Sequence, residues 1–94
     1  MQSSSEKYIE KKFCEAIKRM GGFPLKLLSN ITGLPDRLCL LPGGCLFFAE
    51  LKSTSEKAEP RQKLVHRQIR ELGFEVYVID TMEEANRILK LYEL

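Results

Sequence analysis

Residues 33–52 read GLPDRLCLLPGGCLFFAELK, two apolar runs (38–41 and 45–49) separated by Pro42-Gly43-Gly44. Proline followed by two glycines between apolar segments is a turn signal, so the two runs are expected to fold back on each other as a hairpin. Asp36 stands before the first arm and Glu50 just after the second. A hairpin closed at residues 42–44 therefore brings both carboxylates to its open end. Lys52 follows Glu50 by two positions, and the two-residue period of a strand places both side chains on one sheet face. Charges at the edges of apolar runs are expensive unless they have a partner or a task. The return arm is almost continuously apolar, which predicts a central strand covered on both faces.

Upstream, Ile9, Phe13, Ala16, Ile17 and Met20 mark one face of a helix over residues 6–20. Ser3, Ser4 and Ser5 are its N-cap candidates, and Gly21-Gly22 ends it. Residues 25–28 read as a short strand near Pro24. Downstream, a polar loop to Pro60 opens into a helix over 61–72 with a core face of Val65, Ile69 and Leu72, closed by Gly73. Residues 75–79, EVYVI, read as a buried parallel strand. Thr81 and Glu84 form a capping box before a last helix whose stripe is Ala85, Ile88, Leu89 and Tyr92. The order is αβββαβα, an α/β fold with a mixed sheet flanked by helices.

A chain of 94 residues, 44% hydrophobic and 30% charged, suits a single globular domain over residues 1–94, with neither the low apolar content of a disordered chain nor the long apolar run of a membrane protein. So small a domain gains from pairing with a second copy. The net charge of +2 is too low to announce nucleic-acid binding, which depends on clustering. Cys14, Cys39 and Cys45 lack CxxC spacing and read as small buried hydrophobes. With an N-terminus free of signal-peptide character, a reducing cytoplasmic location is expected.

Two carboxylates at close range, completed by carbonyls and waters, suit a hard divalent cation, magnesium or manganese. Such an ion neutralises a phosphate and acidifies water, and a lysine ammonium balances developing charge. The chemistry implied is phosphodiester hydrolysis.

The segments GLPDR (33–37), LLPGG (40–44), FAELK (48–52) and PRQ (60–62) together resemble the VRR-NUC family, the virus-type replication-repair nucleases of the PD-(D/E)XK superfamily. The similarity runs over nearly the whole chain, with Pro35-Asp36 as the proline-aspartate pair and Glu50-Leu51-Lys52 as the E-x-K element. It implies a restriction-endonuclease-like core and a metal ion held by Asp36, Glu50 and the Leu51 carbonyl. It also implies a catalytic Lys52, and Gln62 supporting the site from its helix. Helical spacing agrees on Gln62, which continues the face of Val65 and Ile69, although an exposed first-turn residue fits the same position. The superfamily often adds a glutamate from the first helix. Glu10, flanking the apolar stripe, is favoured over its rival Glu6, which a capping box with Ser3 would explain.

Lys26, Arg37, Arg61, Lys63 and Arg67, with Lys57 and Arg70, are candidates for contacting DNA phosphates, against the plain alternative of a solvated charged face. His66, among arginines and without a nucleophile partner, reads as a surface or DNA-facing residue. Members standing alone at this length come largely from bacteriophages and resemble Holliday-junction resolvases. The resemblance thus implies a Mg2+- or Mn2+-dependent endonuclease on branched DNA, acting as a homodimer in the host cytoplasm. A flap or general nuclease of the same family, a silent nucleic-acid-binding module and a structural interaction domain are the alternatives.

Overall fold

The computed structural model describes residues 5–93. Helix α1 (Glu6–Arg19) is followed by strands β1 (Phe23–Lys26), β2 (Arg37–Leu41) and β3 (Cys45–Leu51), then α2 (Pro60–Glu71), β4 (Val76–Ile79) and α3 (Met82–Leu91). The expected order and the mixed sheet are thus present. Strand order is β1-β2-β3-β4, with antiparallel pairs on the β1–β2–β3 side and β4 parallel to β3. The parallel pair needs a crossover, which α2 supplies.

A three-residue 3-10 turn, Pro42–Gly44, closes the β2–β3 hairpin. Both glycines have positive φ, 84° and 78°, which an L side chain adopts only with strain. The turn fixes the register Cys39↔Phe47 and Arg37↔Ala49, and from register follows the division of faces. Cys39, Leu41, Phe47, Ala49 and Leu51 point to one side and pack with Ile9, Phe13 and Ile17 of α1 and Ala85 and Ile88 of α3. Asp36, Leu38, Leu40, Leu46, Phe48, Glu50 and Lys52 alternate to the other side, where α2 lies.

Several local expectations shift. The first strand begins earlier than residue 25: Pro24 is buried in an edge strand, where its missing N–H is harmless. Ser5 is the N-cap of α1, its Oγ accepting from Tyr8 N–H, while Ser3 and Ser4 lie outside the described residues. Thr81 Oγ1 accepts from Glu84 N–H, but the Glu84 carboxylate turns to Arg87 and leaves the capping box half made. Leu72 is 76% exposed, and α2 buries Val65 and His66 instead. Cys45 is exposed beside the turn, not buried; Cys14 is half-buried and Cys39 buried.

Gly33 fixes how α2 sits relative to Asp36. Its φ is 93°, and a Cβ there would lie 2.8 Å from the Arg61 carbonyl oxygen and 3.0 Å from Val65. Gly33→Ala is expected to destabilise by more than about 1 kcal/mol, read as a lower urea midpoint.

Candidate active site

Asp36 and Glu50 meet because the β2–β3 register, continued one step past Arg37↔Ala49, sets them opposite each other on the α2 face. The contact is fixed by the backbone: Asp36 Oδ2 accepts from Leu51 N–H at 2.9 Å, and Leu27 N–H donates to the Asp36 carbonyl at 2.9 Å. Pro35 is fully buried beside it. Glu50 itself is only 2% exposed. Its Oε2 lies 3.6 Å from Lys52 Nζ and accepts from Gln62 Nε2 at 2.9 Å.

Gln62 is oriented from its other end as well, since its Oε1 accepts from Glu59 N–H at 2.9 Å at the start of α2. The same amide thus caps the helix and fastens a carboxylate. Gln62→Ala removes a donor from Glu50 and the acceptor of Glu59 N–H and is expected to cost about 1–2 kcal/mol, measured by urea unfolding at pH 7.

The electrostatics run against both acids being charged. Burial first, and the neighbouring Asp36 second, push the Glu50 carboxyl up to about 7, with Lys52 opposing the shift. Glu6 is raised in the same direction by burial and then by Asp36 and Glu10, with Lys52 again opposing. Glu50 Oε1 is buried without a hydrogen-bond partner. A crowded carboxylate pair with an orphaned oxygen fits a cation. Among the described residues no three or more His, Cys, Asp and Glu side chains gather into a ready cage. Two carboxylates suit a hard ion that keeps part of its water shell, as magnesium does.

Comparison with known proteins agrees with this geometry. No family model matches the chain. Over 84 residues it is 36% identical to "Putative nuclease p44" of Acyrthosiphon pisum secondary endosymbiont phage 1, covering 88% of this chain and 90% of that protein. A solved structure of a VRR_NUC domain superposes with a TM-score of 0.88 and 27% identity, over 95% of this chain and 99% of that one. The chain belongs to the VRR-NUC nuclease family.

Within this VRR-NUC fold, other residues singled out from sequence take different places. Glu10, favoured as the first-helix carboxylate, is engaged elsewhere: its Oε2 accepts from Arg37 Nε at 3.0 Å and lies 2.9 Å from Nη2. Arg37 alternates to the side opposite Asp36 and also donates to the Pro24 carbonyl at 2.9 Å, so this ion pair staples α1 to the sheet. Glu6 is the first-helix glutamate that lies within electrostatic reach of Asp36 and Lys52. The signal was present in the sequence, because Arg37 has the parity of the core residues Cys39 and Leu41.

Among the cations, Lys26 pairs in register with Arg37 and so shares the side away from Asp36. Arg61 Nε donates to the Thr32 carbonyl at 3.3 Å, and Arg70 to the Val76 carbonyl at 2.6 Å. Lys57, Lys63 and Arg67 line a cleft of about 1000 Å³ between α2, β4 and the preceding loop. His66, Glu56 and Asp80 also line that cleft, whereas Asp36, Glu50 and Lys52 do not.

His66 overturns its sequence reading. It is 1% exposed, and its Nε2 stands 3.7 Å from Glu50 Oε1. Burial first, then Arg70 and Lys52, lower its pKa, with Asp36 opposing. The cysteines take no part in the site; burial raises the Cys39 thiol to about 12.

Proposed function

We propose that this VRR-NUC nuclease is a magnesium- or manganese-dependent endonuclease that hydrolyses phosphodiester bonds in branched DNA and acts as a homodimer. The observation that carries this reading is the placement of Asp36 opposite Glu50, with Lys52 3.6 Å from the Glu50 carboxylate. Asp36, Glu50 and the Leu51 carbonyl would hold the cation, with Glu6 the first-helix carboxylate that feels the charge of Asp36. Bound there, a divalent ion supplies charge neutralisation at the scissile phosphate and acidifies an attacking water. Lys52 balances charge as it develops on the phosphate, and Gln62 fixes the carboxylate that faces the substrate.

The basic side of the molecule supports DNA as substrate. Among the described residues Lys63 and Arg67 form no ion pair, and with Lys57 and Arg70 they outnumber the acidic Glu56 and Asp80 along the cleft. The dimer is supported by an apolar surface that α2 and Phe74 cover only in part. On the face shared with Asp36 and Glu50, register aligns Phe23, Leu40 and Leu46 in one row and Leu25, Leu38 and Phe48 in the next. Phe23 is 67% and Leu25 42% exposed. The apolar return arm implied cover on both faces, and a second copy is the cover this reading assigns.

The test is strand scission of labelled four-way junction, flap and linear duplex DNA with Mg2+ or Mn2+, comparing wild type with Lys52→Ala. Metal-dependent cutting of the junction that the substitution abolishes supports the chemistry and the branched substrate together. Cutting restricted to flaps or duplex retains the chemistry and discards the junction. DNA binding without cutting any substrate would show a silent binding module.

A further inference from the structure

Two buried side-chain atoms, Glu50 Oε1 and His66 Nε2, lack a hydrogen-bond partner among the described residues, and they face each other at 3.7 Å. Buried polar groups are nearly always satisfied, because each orphan costs about 1–3 kcal/mol. One proton shared between these two atoms satisfies both. With the proton on Nε2, the imidazole donates to the carboxylate once the gap closes by roughly half an ångström. Gln62 and His66 lie four apart on α2, on one helical face. Gln62 already holds Oε2 of the same carboxylate.

We infer that His66 is a positioning residue whose Nε2–H, donating to Glu50 Oε1, works with Gln62 to set the orientation in which Glu50 presents its remaining lone pairs to the cation. The inference rests on reading Asp36 and Glu50 as a cation site. His66 borders the cleft with only 1% of its surface exposed and acts through Glu50. A carboxylate oxygen accepts more than one bond, so the contact leaves room for a cation. Contacts of this kind behind a metal ligand change metal affinity by 10- to 100-fold.

The experiment is a Mg2+ titration of DNA-free protein at pH 8, followed by melting temperature and by calorimetric binding, for wild type, His66→Leu and His66→Gln. Glutamine carries an N–H donor where the histidine has Nε2; leucine carries none. The expected result is that His66→Leu keeps a native circular dichroism spectrum but needs at least tenfold more Mg2+ for half-saturation, while His66→Gln stays near wild type. His66→Leu titrating like wild type overturns the inference, as does His66→Gln failing as badly as His66→Leu, since that pattern marks packing. Wild type that takes up no Mg2+ at all overturns the cation reading itself. Should His66→Leu not fold, the ring nitrogen NMR signals of wild type decide: a proton on Nε2 in a hydrogen bond supports the role, and a proton only on Nδ1 overturns it.

Discussion

Glu50→Gln is expected to melt higher than the wild-type protein at pH 8 and to cut no DNA. The folded protein holds the Glu50 carboxyl up to about 7, against an ordinary value of 4.5, because burial and Asp36 disfavour its charge. Below pH 4.5 both folded and unfolded chains keep the proton, and there is no penalty. Between 4.5 and 7 the unfolded chain releases it while the folded protein retains it, so stability falls as pH rises through that window. Above about 7 the full penalty is present. At 1.36 kcal/mol per tenfold change in proton affinity it amounts to about 3 kcal/mol. Glutamine keeps an oxygen for Gln62 without the charge, and should raise the melting temperature by roughly 10–20 °C at pH 8 and very little at pH 4. Scanning calorimetry at both pH values measures this, and equal shifts at the two would contradict the electrostatic origin. A cation held by Asp36 and Glu50 would offset the same charge, so Mg2+ should raise the wild-type melting temperature more at pH 8 than at pH 5, and should leave Glu50→Gln nearly unmoved.

Asp36→Ala has the opposite effect on stability with the same loss of cleavage. Its Oδ2 accepts the Leu51 N–H at 2.9 Å, so removing the carboxylate orphans a partly buried donor at the end of β3, at a cost of about 1–3 kcal/mol. The measurement is cleanest at pH 5, where Glu50 is protonated and relief of repulsion between the two acids contributes little. Asp36→Asn keeps an acceptor for Leu51 and should melt within a few degrees of wild type while remaining inactive. Asp36→Ala melting as high as wild type at pH 5 would show that the hydrogen bond carries no structural weight. The two acids therefore differ in kind. One is a backbone clasp as well as a ligand candidate, and the other is a destabilising charge that the fold tolerates.

This difference explains why parts of the site were readable in one dimension. Asp36, Glu50 and Lys52 depend on local rules alone: Pro42–Gly44 permits a tight turn, the turn sets the register, and the two-residue strand period sorts side chains to faces. Gln62 was legible because it sits in the first turn of a helix whose position after the E-x-K strand is imposed by a parallel crossover. The Glu10–Arg37 pair was half legible. Arg37 has core-side parity, but which face α1 covers is set by the burial of Ile9, Phe13 and Ile17 against β2 and β3, a long-range choice.

Helical periodicity for α2 selects a stripe without saying how the helix is rotated about its axis. The apolar residues Val65, Ile69 and Leu72 define one candidate stripe, yet the helix turns so that Gln62, Val65 and His66 face the sheet and Leu72 stays in solvent. Hydrogen bonding by Gln62 to both Glu59 and Glu50 holds that rotation. The sequence by itself determined the order of elements, the hairpin, and the meeting of Asp36 with Glu50, because each follows from turn chemistry and strand parity within a few residues. Only the tertiary structure decided that Glu10 binds Arg37, that Glu6 approaches the carboxylates and that His66 is buried against Glu50, because helix rotation and packing are set by contacts between residues far apart in the chain.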